Sequence, residues 1–213
     1  MPALRPPARW ILRPGDAAAA ARLAAALGLT LPTARVLAAR GFTDSAATER
    51  WLAASLDDLA PPAALRDMDR AAARLARAVR AGERLIVYGD YDADGVTATA
   101  ILVRGLRRLG GAVEAFVPRR AVEGYGLHAG AIARLGGPGV LVAVDCGVTA
   151  LAEVALARQL GLDVIVLDHH EPGPTLPEAL AVVDPKRRDQ PPVTPYAACG
   201  LAFQALRAVA HLL

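Results

Sequence analysis

Leu85-Ile86-Val87-Tyr88-Gly89-Asp90-Tyr91-Asp92-Ala93-Asp94-Gly95 decides how the chain reads. An apolar run stops on an aspartate, and the pattern recurs twice downstream. Val140-Leu141-Val142-Ala143-Val144 runs into Asp145-Cys146-Gly147, and Val164-Ile165-Val166-Leu167 runs into Asp168-His169-His170. Short β-branched runs separated by helix-length amphipathic segments predict buried parallel strands joined by helical crossovers. In such a sheet the carboxyl ends of the strands share one edge, where open α/β folds place their ligands. Asp90, Asp92, Asp94, Asp145 and Asp168 would then gather with His169 and His170 in one crevice. So many carboxylates repel one another unless cations lie between them, which points to a metal site with more than one ion.

Around these runs the chain divides into two regions. Residues 1–80 are expected to be helical, with segments at Asp16 to Leu27, Leu31 to Ala39, Ser45 to Ala53 and Asp67 to Ala81. They carry none of the chemistry. Residues 81–213 alternate strand and helix. Helices are expected at Gly95 to Leu109, Ala129 to Leu135, Ala150 to Leu160 and from about Ala197, with further strands at Ala112 to Val117 and Ala181 to Val183. The fold class is therefore α/β, a parallel sheet flanked by helices and preceded by a helical N-terminal region.

Composition narrows the function classes. With 54% apolar and 21% charged residues, 213 residues can bury a real core. Met1 to Pro7 holds no apolar signal core, and no 18-residue apolar run appears, so a soluble cytoplasmic protein without a membrane span is expected. Cys146 and Cys199 make no disulfide framework. Net charge is +3, and Lys186 is the one lysine among 24 basic residues. Arginine suits bidentate phosphate contacts, but a mild basic balance does not by itself establish nucleic-acid binding.

Each acidic motif has its own chemistry. Alternate aspartates in extended backbone point the same way, so Asp90, Asp92 and Asp94 can offer several oxygens to adjacent ions, with Gly95 allowing a tight turn. An EF-hand would place its glycine and distal glutamate at other offsets, which argues against calcium. Imidazole beside carboxylates favours Mn²⁺, Zn²⁺ or Co²⁺, and one histidine can ligate while the other donates to a phosphate oxygen. After the second core strand come Arg119-Arg120 and Glu123-Gly124-Tyr125-Gly126. Gly124 and Gly126 would let backbone approach a phosphate, Arg119 would pair with it and Tyr125 would stack on a base. The competing reading is a plain Gly-rich connection. No G-x-G-x-x-G follows the first strand, so a dinucleotide binder is disfavoured.

Taken together, these motifs resemble the DHH phosphoesterase superfamily and, within it, the RecJ single-stranded-DNA exonucleases. Tyr88 to Gly95, Pro118-Arg119 with Glu123 to Leu127, Asp145-Cys146-Gly147, Asp168-His169-His170 and Asp184-Pro185 carry the resemblance. It implies a metal-dependent phosphodiesterase that digests single-stranded DNA 5′ to 3′ in recombination and repair, using two Mn²⁺ or Mg²⁺ ions. Asp92, Asp94, Asp145 and His169 would be ligands, with Asp145 bridging. His170 would contact the scissile phosphate, and Asp168 would orient a histidine. Some members carry a metal-binding histidine where Tyr88 stands, so the first ion is expected to lean on Asp90 instead. A single-stranded-DNA-binding protein and a helicase are further partners that the resemblance suggests. The family pattern continues with another acidic ligand and a Gly-rich second domain, so this chain is expected to fold yet show little nuclease activity alone. Rival functions are a DHH phosphoesterase acting on oligonucleotides, cyclic dinucleotides or pyrophosphate, and a module that only binds DNA.

Overall fold

The computed structural model describes residue 11 and residues 15–119 and 121–213. Met1 to Pro7 and Arg120 lie outside the described residues. The chain forms two compact units that divide between Leu59 and Ala60. The division falls before the fourth helix, not after it at residue 80.

The first unit is helical. α1 spans Ala17–Leu27, α2 spans Leu31–Ala39 and α3 spans Ser45–Ala53. Asp16 caps α1 by accepting the Ala19 N–H at 2.9 Å, and Gly28 ends it in the left-handed conformation. A small core of Ala19, Ala20, Leu23, Ala34, Leu37 and Ala38 holds this unit together.

The second unit opens with α4, Met68–Ala81, whose buried face belongs to the core of the sheet that follows. This is why residues 68–81 group with the strands. In chain order come β1 (Arg84–Gly89), α5 (Ala93–Arg108), β2 (Ala112–Phe116), α6 (Ala129–Leu135), β3 (Gly139–Val144), α7 (Leu151–Gln159), β4 (Leu162–Leu167), β5 (Ala181–Val183) and α8 (Ala198–Leu212). The five strands are all parallel, in the order β2-β1-β3-β4-β5. Alternation along the strands sends Leu85, Val87, Val142, Val144 and Leu167 to one face, under α4, α5 and α8. Ile86, Tyr88, Leu141, Ala143 and Val166 go to the other face, with α6 and α7. Both faces are covered, which accounts for the apolar runs of β1, β3 and β4, whereas edge strand β2 carries Glu114 and is largely exposed.

Strand order reverses between β1 and β3, because β2 lies on one side of β1 and everything later lies on the other. Open α/β sheets form a crevice at that point. In register, Gly89 stands beside Val144, and Val144 beside Leu167. The residues that follow these three are Asp90, Asp145 and Asp168.

One local expectation is corrected. α5 begins at Ala93, so Asp92 is its N-cap and Asp94 lies in its first turn. The three aspartates therefore converge through a strand-to-helix turn, not by alternation in extended backbone. Among the described residues no helix is long and apolar enough to cross a membrane.

Candidate metal centre

β1 delivers Asp90 beneath the N-terminus of α5. Asp90 is 2% exposed, and its Oδ1 has no hydrogen-bond partner among the described residues. Asp92 Oδ1 accepts the Gly95 N–H at 2.9 Å. A Cβ on Gly95 would come within 2.6 Å of the Asp90 carbonyl oxygen, so glycine alone lets the helix start this close to the strand end. Asp94, in the first turn of α5, reaches α8. It accepts the Ala198 N–H at 2.8 Å and the Cys199 N–H at 2.9 Å, the first two residues of α8.

After β3, Asp145 adopts a left-handed backbone with φ of 63°. It is 1% exposed, and its Oδ1 lies 3.1 Å from His169 Nε2, which is also 3.4 Å from Asp94 Oδ2. After β4, Asp168 is buried and accepts the N–H groups of Val148, His169 and His170. The same carboxylate holds His170 Nδ1 at 2.7 Å. His170 Nε2 lies 3.2 Å from the Tyr125 hydroxyl.

Two groups of donors result. Asp90, Asp92 and Asp145 form one, and Asp145, His169 and His170 the other, each with its ligand atoms within 4.8 Å of one another. Asp145 belongs to both. The first offers oxygens alone, including an orphaned buried one, and the second mixes oxygen with imidazole nitrogen. Such donors suit Mg²⁺ and Mn²⁺.

Electrostatics expresses the same crowding. The Asp145 carboxyl is pushed up to about 7, first by burial and then by the charges of Asp94 and Asp92. Burial also pushes Asp90 up, with Asp92 adding to it. Burial would raise Asp94 too, but the amides of Cys199 and Ala198 outweigh it and hold that carboxyl low. Burial would lower His170, yet its hydrogen bond to Asp168 leaves it raised.

The connection between β2 and α6 places Tyr125 and leaves Arg119 exposed on the surface. Glu123 anchors it, accepting from the Arg119 N–H at 2.9 Å and from Arg134 at 3.0 Å. Buried Tyr88 donates its hydroxyl to the Gly126 carbonyl at 3.1 Å. Gly124 and Gly126 take φ of 80° and 75°, which lets the chain turn Tyr125 towards His170. Tyr88, read as the replacement for a ligand, therefore supports the loop from below. Cys146 is buried and belongs to neither donor group.

The DHH family, N-terminal domain, matches residues 84–212, which hold every residue of both groups. The chain belongs to the DHH family. Within it, the chain is similar to the single-stranded-DNA-specific exonuclease RecJ of Bacillus subtilis (strain 168), at 36% identity over 207 residues. That match covers 94% of this chain and 26% of the relative. The crystal structure of RecJ in complex with Mn²⁺ from Thermus thermophilus superimposes with a TM-score of 0.70 at 34% identity. It covers 94% of this chain and 28% of that one. The structure of RecJ with Mg²⁺ from the same organism gives 0.58 at 32% identity, covering 94% and 24%. This DHH chain thus spans about a quarter of the length of these relatives.

Two features of this sheet edge have no role in the sequence analysis, where Asp184 stands only among the residues of the resemblance. Ala181-Val182-Val183 is a fourth apolar run that stops on an aspartate, Asp184, but three residues are too short for that signal to count. Asp184 is fully buried on the same sheet edge, with Oδ1 accepting the Lys186 N–H and Oδ2 without a partner among the described residues. Burial pushes its carboxyl up to about 6, and the Asp168 charge adds to the rise. The second feature is the anchoring of Asp94 by the start of α8, about a hundred residues away in the chain. No local pattern announces it.

Proposed function

We propose that the chain is the ion-holding and phosphate-engaging part of a metal-dependent phosphodiesterase, a RecJ-type 5′ to 3′ exonuclease for single-stranded DNA. The observation that carries this reading is Asp145, a buried carboxylate shared by two donor groups and raised to about 7 where no cation offsets its neighbours. Its relatives are named single-stranded-DNA-specific exonucleases, and two of their structures are titled with Mn²⁺ or Mg²⁺. Action in the cytoplasm during recombination and repair, beside a single-stranded-DNA-binding protein and a helicase, belongs to the same proposal.

Asp90, Asp92, Asp94, Asp145 and His169 would hold Mn²⁺ or Mg²⁺. When bound, such ions supply charge stabilisation and activate water for an in-line displacement at phosphorus. The chain's own residues do the rest. Asp168 fixes the His170 ring through Nδ1, so Nε2 is the atom left to carry a proton towards a phosphate oxygen. Three backbone amides hold the Asp168 carboxylate in place, and its hydrogen bond raises His170 above the ordinary imidazole value. Arg119, exposed on the β2–α6 loop, would pair with the strand backbone, and Gly124, Tyr125 and Gly126 would bring the loop against it.

The test compares wild type with Asp145→Asn. Calorimetric Mn²⁺ titration of the chain should fail in the variant, and so should Mn²⁺-dependent release of nucleotides from a 5′-labelled single strand when the same change is made in a full-length protein that carries this domain. Undiminished binding and cleavage would refute a shared-carboxylate metal centre.

A further inference from the structure

We propose that the cleft beside His170 receives the neutral nucleoside of a strand terminus while its phosphate stays at the two donor groups. This rests on the phosphodiesterase reading and adds to it what the site grips. The cleft has a volume of about 330 Å³. That lies at the small end of ligand clefts, which run from about 300 to 1,000 Å³, so one nucleoside is the scale of its occupant.

Its floor and its rim differ in chemistry. Buried Leu127, Cys146 and Val148 give an apolar floor, while Tyr125, 58% exposed, and His170 stand where the cleft opens. Gly126 and Gly147 leave bare backbone between them. Apolar walls beside an exposed aromatic ring suit a base, whose π-face stacks whatever its sequence. Among the described residues, asparagine, glutamine and arginine, which read base edges bidentately, do not line the cleft.

Charge decides which end of a nucleotide enters. The carboxylates of Asp168 and Glu153 line the cleft, and among the described residues His170 is its one basic lining residue. A phosphate pushed inside would meet two carboxylates, whereas one held outside meets His170 Nε2. Sugar hydroxyls and base amines, by contrast, find acceptors in Glu153 and in Thr149, which stands exposed just before α7. The tyrosine hydroxyl at 3.2 Å from His170 Nε2 holds the place a phosphate oxygen would take.

The experiment titrates the chain, with Mn²⁺ present, with each deoxynucleoside monophosphate and with inorganic phosphate. Nucleotides should bind roughly tenfold or more tightly than phosphate, with little difference among the four bases, as stacking provides. Thr149→Trp and Glu153→Trp fill the cleft from two separate surface positions. Each should bring nucleotide affinity down to that of phosphate while leaving Mn²⁺ and phosphate affinity intact, which also shows that the variant is folded. Nucleotides binding no better than phosphate to wild type would overturn the inference and spare the phosphodiesterase reading. So would variants that bind nucleotide as wild type does. A wild-type chain that binds neither Mn²⁺ nor phosphate would remove both.

Discussion

Asp145 is required to be buried, charged and left-handed at the same time. Its carboxyl titrates near 7 when folded, against 3.8 for a free aspartate, so the folded state binds its proton more tightly. Stability from this group is complete below about pH 3.8 and is lost as pH rises through about 7. The metal-free protein should therefore melt progressively lower over that window, and Asp145→Asn should flatten the decline. At pH 7 the variant is expected to melt at least about 2–4 °C higher than metal-free wild type, the shift that about 1 kcal/mol produces in a chain of this size. Mn²⁺ should raise the melting temperature of wild type and not of the variant. His170 behaves differently, because its Nδ1 is committed to Asp168. His170→Ala should cost about 10²–10³ in turnover, as loss of one donor to a developing charge does, with Mn²⁺ affinity largely spared. Loss of Mn²⁺ binding in that variant would exchange the roles of His169 and His170. The acidic strand ends and the histidine pair were legible in the sequence, because residue type and position after an apolar run sufficed. The pairing of Asp168 with His170 was open until both were in place.

Among the elements, α5 and α8 are joined through one side chain. Asp94 accepts the first two amides of α8 and so caps a helix to which it does not belong. Asp94→Ala should lower stability by about 0.5–2 kcal/mol, the usual worth of a cap, read from the denaturant midpoint without Mn²⁺. Faster hydrogen exchange confined to the start of α8 would accompany it. An unchanged midpoint would mean that α8 is held by its apolar face alone. The β2–α6 loop separates two kinds of contact. Arg119→Ala should reduce the salt slope of single-strand binding by about 0.7, while Tyr125→Ala should weaken binding by about 1–3 kcal/mol with the slope unchanged. Equal slopes for wild type and Arg119→Ala would return that arginine to a surface role. β1, β3 and β4 are legible because burial on both faces makes their runs apolar. The start of α5 did not, since an aspartate can end a strand or cap a helix and local sequence does not say which.

At the scale of the molecule, all the candidate site residues lie between Asp90 and His170, inside the second unit. That unit has its own two-faced core, one face closed by α4, α5 and α8 and the other by α6 and α7. Residues 60–213 alone should melt cooperatively and bind Mn²⁺ with the affinity of the whole chain. A fragment starting at residue 81, where the strand pattern begins, should not, because it strips α4 from the sheet. Equal stability of the two fragments would show that α4 is dispensable. The boundary was misread because α4 looks in sequence like the helices before it, and its allegiance is settled only by what its apolar stripe covers. The φ of 63° at Asp145 has a practical outcome. Aspartate and asparagine tolerate that conformation, and a longer side chain pays for it in strain of about 1–2 kcal/mol. Glutamate, which keeps the charge, should thus be the more disruptive replacement, and asparagine the milder one. An asparagine-bearing protein would hold an uncut strand in a native backbone, a trap from which the path of the DNA could be seen directly.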